Sequence, residues 1–289
     1  MIKAIRNSSI SLIFIAVILN IPQIFFKSLR WKILLHQQNI VIPTIKTFLI
    51  YMSCLYIGFI TPGRLGEFAK ALYLKFDNSI PISTGLSSVL TDRLFDLYLL
   101  ITVGLLGLWK IQMIDSLSTT FFIVALLIII SPLIIVNEKF RMILSKQFFK
   151  IKLTKKYQIE LENKFEEFFL GINQLVSWKI LISILITILS YFIFFVQSYL
   201  IAKSLNIPVS FNYLIYFMAI SNLVSFLPIS ISGLGTRDAT LIFLFSLINI
   251  QSELALSYSL LIFFTIFLAG GLFGYFCWWI KPLDFNKIR

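Results

Sequence analysis

Thr61-Pro62-Gly63-Arg64-Leu65-Gly66-Glu67 breaks an apolar run that begins near residue 44, and Glu67 is the first acidic residue of the chain. A counterpart returns late, as Leu227-Pro228-Ile229-Ser230-Ile231-Ser232-Gly233-Leu234-Gly235-Thr236-Arg237-Asp238. In hydrocarbon a backbone N–H or C=O without a partner costs several kcal/mol, so such breaks survive only where protein or water satisfies the freed groups. Both motifs are therefore expected to line a cavity. Pro62 and Pro228 end the preceding helices, while Gly63, Gly66, Gly233 and Gly235 allow close backbone approach or positive φ. A helix that restarts after such a turn aims its N–H groups and positive dipole end at the gap, so an anion is the natural occupant.

Working outward, the composition assigns the class. With 58% hydrophobic and 13% charged residues and a mean hydropathy of +0.92, the chain cannot supply a soluble surface. A span takes roughly 20 largely apolar residues, and apolar runs lie near 10–26, 44–60, 82–109, 118–136, 180–202, 211–228, 239–250 and 254–280. Strand-like alternation is absent, which excludes a membrane barrel. The expectation is an all-α polytopic helical bundle of about eight hydrophobic segments, two of them Gly/Pro-broken or re-entrant, forming one domain over residues 1–289. Leu55-Tyr56-Ile57-Gly58-Phe59-Ile60 can be laid against Leu223-Val224-Ser225-Phe226-Leu227-Pro228, which raises an internal two-fold repeat. The repeat is parallel if every segment spans and inverted if one is re-entrant.

Lys139, Arg141, Lys146, Lys150, Lys152, Lys155 and Lys156 follow one another without an acid, and the positive-inside bias assigns that stretch to the cytoplasm. Beyond it, Leu161, Phe165, Phe168, Phe169, Ile172 and Val176 recur at helical spacing opposite Glu160, Glu162, Lys164, Glu166 and Glu167. The connection at about 137–178 is thus expected to be basic and amphipathic, lying on the membrane surface or capping the bundle. Counting spans outward puts both termini in the cytoplasm. The exception is Lys27, Arg30, Lys32 and Lys46, read as a loop on the other side. A net charge of +12 raises nucleic acid as a partner, but no nucleic-acid module accompanies it.

Candidate site residues are the charged and hydroxyl groups at the breaks and on one helix between them. Arg64 and Arg237 can each grip a phosphate with a planar fork, and Ser230, Ser232 and Thr236 add hydroxyls. On the intervening helix Asp92 and Asp96 are four apart and share a face, with Arg93 beside Asp96. A charge near the bilayer centre costs roughly 2.5–3.5 kcal/mol on insertion scales. Arg64, Glu67, Asp92, Arg93, Asp96, Arg237 and Asp238 must therefore pair, reach water or sit at an interface. Salt bridges that only hold helices together are the structural alternative. Cys54, Cys277 and the single His36 form no set with metal-ligand spacing, so no metal and no cofactor is expected. Gly270, Gly271 and Gly274 suit close helix packing.

Arg30-Trp31, Pro62 through Glu67, Asp92-Arg93, and Leu227 through Ser230 followed by Gly233 through Asp238 together resemble the transmembrane, flippase-like domain of lysylphosphatidylglycerol synthases. The resemblance spans nearly the whole chain. It implies transfer of an anionic phospholipid, or of a polyprenyl-phosphate-linked lipid, across the cell membrane. In two-domain members a separate soluble domain makes aminoacylated phosphatidylglycerol from aminoacyl-tRNA; this chain ends at Arg289, so a stand-alone member without synthase activity is expected. The implied substrate-binding residues are Arg64, Glu67, Asp92, Arg93, Ser230, Ser232, Arg237 and Asp238, the last standing where family members commonly have Glu. Membrane lipids, and a separate lipid-modifying enzyme or glycosyltransferase, are the implied partners. An intramembrane lipid-phosphate transferase or hydrolase, and a membrane scaffold, stay open as alternatives; no nucleophile is placed beside an evident base.

Overall fold

The computed structural model describes residues 8–111, 126, 155–175, 177–227 and 229–283. Among the described residues there are helices and turns but no strand: α1 (Ile10–Gln37), α2 (Thr44–Phe59), a 3-10 turn (Leu65–Phe68), α3 (Ala69–Asn78), α4 (Ile82–Lys110), α5 (Lys155–Leu175), α6 (Ile180–Ser204), α7 (Phe211–Ser225), α8 (Thr236–Ser246) and α9 (Ser252–Ile280). Three of these, α1, α6 and α9, are long and apolar enough to cross a membrane. α4 is as long, at 29 residues, but carries Asp92, Arg93 and Asp96. The chain is an all-α polytopic membrane protein. The apolar stretch at 118–136 and the basic run from Lys139 to Lys150 lie outside the described residues.

The element lengths disclose the repeat. Helices α1 to α4 have 28, 16, 10 and 29 residues, and α6 to α9 have 25, 15, 11 and 29. Contacts between the halves give its orientation. Along α1 and α6, Ser9 N donates to Ser204 O at 3.1 Å, Gln197 to Ala16 O at 2.8 Å, Ser190 to Gln23 O at 3.1 Å, and Arg30 to Thr187 at 2.9 Å. One number rises as the other falls, so these equivalent helices run antiparallel and the repeat is inverted.

Each broken segment is a re-entrant hairpin. α2 and α3 run antiparallel, with Lys46 3.3 Å from Asp77 at the open end and Gly58 against Glu67 at the closed one. α7 and α8 do the same, with the Phe217 and Phe245 rings 5.4 Å apart. A 16-residue helix is about 24 Å long, short of the ~30 Å hydrocarbon core, so the chain turns back inside. Because the repeat is inverted, the hairpins enter from opposite faces. Their tips touch through an antiparallel bridge between Pro62 and Ile231.

Across the halves, α2 packs on α9 and α7 on α4. Gly274 lies where a Cβ would stand 2.5 Å from the Met52 carbonyl oxygen, which supports the close-packing reading of that glycine, and the Tyr56 and Tyr275 rings meet at 5.3 Å. Two apolar cores result. Trp31, Tyr51 and Leu74 fill the one around the first hairpin, and Phe217, Phe245 and Tyr258 the one around the second. Close packing, rather than a hydrophobic drive, holds helices together in lipid.

Two expectations are corrected. Lys27 and Arg30 are not in a loop but within α1, where they face carboxylates of α4. The chain ends were expected on one face, yet Ile10 stands at the Ser204 end of the bundle, whereas Lys281, just after α9, is 2.7 Å from Asp77 at the Asn78 end. The hairpins account for this, since each enters and leaves by one face and adds no crossing. α5 caps the Asn78 end. Phe169, Ile172 and Leu175 are buried, Ser83 donates to Glu167 at 2.6 Å, and Glu162 and Glu166 face outward.

Candidate functional site

The two tips have the same backbone. Gly63 and Arg64 are consecutive left-handed residues (φ 57° and 56°), and so are Ser232 and Gly233 (φ 52° and 76°). Arg64 thus occupies the position that glycine holds in the other half, and a non-glycine residue there carries backbone strain that clusters at functional sites. Just beyond, Gly66 presses on the Ile57 carbonyl, where a Cβ would lie 2.5 Å away.

A cavity of about 80 Å³ opens where the tips meet. Its polar wall is Asn20, Gln23, Lys27, Arg64, Asn222 and Ser232, and no carboxylate belongs to it. Ser232 also donates to the Phe59 carbonyl at 2.6 Å, tying the second tip to the end of α2. The Arg64 guanidinium lies 4.8 Å from the centre of the Phe267 ring, and that of Arg237 lies 4.8 Å from the same ring. Phe267 sits in the π-helical turn of α9, Phe263–Leu268, a feature frequent at functional sites.

On the Asn78 side of the cavity the charges form an alternating chain. Lys27 is 2.7 Å from Asp96. Arg30 bridges Asp96 at 2.7 Å and Asp92 at 2.8 Å, and also donates to the Asp92 carbonyl and to Thr187, both at 2.9 Å. Lys70 lies 3.0 Å from Asp92 and 3.8 Å from Glu67. Arg93 completes the chain, 3.1 Å from Glu67 and donating to the Arg64 carbonyl at 2.6 Å. Tyr51 donates to Asp92 at 3.3 Å, and the Lys70 ammonium stands 4.1 Å from the Tyr51 ring centre. The chain starts on Lys27 and ends on Arg93, which bonds the Arg64 carbonyl, and Lys27 and Arg64 both line the cavity. Arg30, Lys70 and Asp92 are at most 1% exposed, and removing one partner of such a buried pair typically costs about 3–5 kcal/mol.

The second half is simpler. Arg237, fully buried, pairs with Asp238 at 2.9 Å. Asp238 also accepts from Ser259 at 2.5 Å and, as a cap of α8, from Gly235 N at 2.9 Å. The Nη1 of Arg237 has no hydrogen-bond partner.

Of the residues expected at the site, Arg64 and Ser232 line the cavity. Glu67, Asp92 and Arg93 belong to the ion chain, and Arg237 and Asp238 stand behind Phe267. Ser230 is engaged with Thr236 at 2.8 Å and is not in the cavity wall. Pro62, Gly63, Gly66, Gly233 and Gly235 shape the tips; Pro228 lies outside the described residues. Sequence reasoning missed Lys27 and Lys70 and left Arg30 without a role. Lys27 sits one turn before Arg30 and shares its face, and Lys70 is the second residue of α3 as Arg237 is of α8. That register was the available signal. Among the described residues no group of histidine, cysteine and carboxylate side chains could hold a metal ion.

Residues 1–274 match the family described as the lysylphosphatidylglycerol synthase TM region. A UPF0104 membrane protein of Methanocaldococcus jannaschii is 25% identical, over 99% of this chain and 89% of its own. One of Methanothermobacter thermautotrophicus is 27% identical, over 90% and 80%. A second M. jannaschii protein of that designation is 26% identical, over 76% and 94%. No solved structure matches. The chain therefore belongs to the lysylphosphatidylglycerol synthase transmembrane-region family.

Proposed function

We propose that this protein moves an anionic lipid headgroup across the bilayer through the cavity between the hairpin tips. The observation that carries the reading is the pair Lys27 and Arg64 in a cavity wall without a carboxylate, at the contact of two inverted re-entrant hairpins. Inverted repeats with discontinuous helices are the architecture in which secondary transporters expose a mid-depth site to each face in turn. The headgroup alone needs the polar route, since acyl or polyprenyl chains can remain in lipid. The family membership supports a lipid as cargo, and a lipid-modifying enzyme or glycosyltransferase acting on the same lipid is the matching partner.

On this reading the protein is a transporter and not an enzyme. Each of the four mid-depth carboxylates is held by a cation, which leaves none free to serve as a general base. The positive-inside bias supports a cytoplasmic Asn78 end, because Lys46, Lys75, Lys179 and Lys281 lie there against Lys110 and Lys203 at the other end.

The test is reconstitution of wild type and Arg64→Gln into liposomes, scored for transbilayer movement of a fluorescent anionic phospholipid. Arg64 is only half-buried, so the variant should elute as folded protein and lose at least tenfold in rate. Unchanged movement in the variant, or none with folded wild type, sinks the proposal.

A further inference from the structure

Among the described residues, charge around the tips does not balance: six cations, Lys27, Arg30, Arg64, Lys70, Arg93 and Arg237, stand against four carboxylates, Glu67, Asp92, Asp96 and Asp238. The remaining charged side chains described lie at the ends of the bundle. Two positive charges are left over, and the geometry shows where. Every carboxylate is already engaged by a cation. Arg64 has no carboxylate within ion-pair distance and rests on Phe267, and the ion chain sets four cations, from Lys27 to Arg93, against three carboxylates, whereas Arg237 is matched by Asp238. Unneutralised charge held among apolar helices, with restricted access to water, is costly. Something with two negative charges completes it.

We infer that the cavity takes a dianionic phosphoryl group, as in a phosphomonoester or pyrophosphate lipid, in preference to a phosphodiester. This rests on the translocase reading and names its cargo. A phosphodiester headgroup such as phosphatidylglycerol brings one negative charge and leaves one of the two unmatched. Lysylphosphatidylglycerol brings one phosphate and two ammonium groups, a net positive charge facing Lys27 and Arg64. A cavity of about 80 Å³ has room for a few waters, enough to seat a phosphoryl group. Soluble phosphate has the same chemistry, so the test must separate the two sources.

The full-length protein in phosphatidylcholine nanodiscs is titrated with phosphatidic acid, phosphatidylglycerol, lysylphosphatidylglycerol and inorganic phosphate, each binding constant being read by competition against a fluorescent phosphatidic acid. At pH 8 phosphatidic acid should bind at least tenfold tighter than phosphatidylglycerol, and lysylphosphatidylglycerol should not compete. Near pH 5, below the second phosphate ionisation at about 6, the preference should fall below about threefold. Asn222→Asp, a near-isosteric change in the cavity wall, adds one negative charge and should abolish the preference, as should Lys27→Met; agreement between the two guards against a folding artefact in either. Phosphatidylglycerol or lysylphosphatidylglycerol binding as well as phosphatidic acid at pH 8 overturns the inference, and if Arg64-dependent lipid movement persists, the transport reading outlives it. Inorganic phosphate binding as tightly as phosphatidic acid, with no lipid moved, keeps the dianion chemistry and removes the lipid.

Discussion

The first hairpin is heavily charged and the second almost bare, although the two share one backbone plan. Around the first, seven side chains from α1, α4, the 3-10 turn and α3 alternate in sign. Around the second, Arg237 and Asp238 stand with Ser259. At the tips the contrast reverses in kind: the first carries Arg64 in a left-handed conformation where the second has Gly233. The difference teaches that the repeat supplies geometry and the departures from it supply chemistry. The left-handed pair shapes both tips, but only one of them presents a cation to the cavity.

Substitutions that remove one carboxylate from each half should break this contrast most visibly. Asp92→Asn leaves Arg30 and Lys70 buried with a neutral partner and should cost about 3–5 kcal/mol, seen as loss of folded protein in detergent thermal unfolding. Asp238→Asn, at a side chain 14% exposed, should cost only about 1–2 kcal/mol, leaving an intact fold of lower midpoint. Equal losses would mean that the chain of seven is no more integral than the pair.

Exchanges at the tips sharpen the comparison further. Gly233→Ala puts a Cβ at φ 76° and 2.5 Å from the Ser225 hydroxyl oxygen, and should destabilise by about 1–3 kcal/mol. Arg64→Gly at the equivalent position relieves strain, and should leave stability unchanged or raise it by up to about 1 kcal/mol while transport falls as in Arg64→Gln. A joint fall in both would make Arg64 a structural residue.

The smallest effect is expected at the rim. Burial raises the Asp77 carboxyl, but the Lys281 and Lys46 ammoniums outweigh it and hold the group below its usual range. A depressed carboxylate adds stability above its unfolded value, near pH 4, that is lost as pH falls further. The acid-induced drop in unfolding midpoint below about pH 4 should therefore shrink in Asp77→Asn.

Much of this was legible in the chain. Composition gave the class, and Gly/Pro breaks in apolar runs located both tips because hydrocarbon tolerates them only at protected sites. The alignment of Leu55 through Ile60 with Leu223 through Pro228 falls one residue short of the register in which Arg64 matches Gly233 and Pro62 meets Ile231. Inversion was not legible, because 16 apolar residues read alike whether they turn back or go on. The pairing of arginines by motif also misled. The backbone aligns Arg64 with Gly233, and the start of the short helices aligns Lys70 with Arg237, since the first tip inserts a 3-10 turn before α3. Lys27 and Arg30 looked like loop residues because their partners, Asp92 and Asp96, are over 60 positions away.

On the proposed translocase reading, two unmatched positive charges around the tips would also couple this protein to voltage. Carrying one elementary charge through the membrane potential is worth about 2.3 kcal/mol per 100 mV. Loaded with a dianion the site would be electrically silent, and its passage between faces would do no work against the field. Empty, it carries both charges, so the resting potential of the membrane would govern the return stroke and bias the face on which the vacant protein waits.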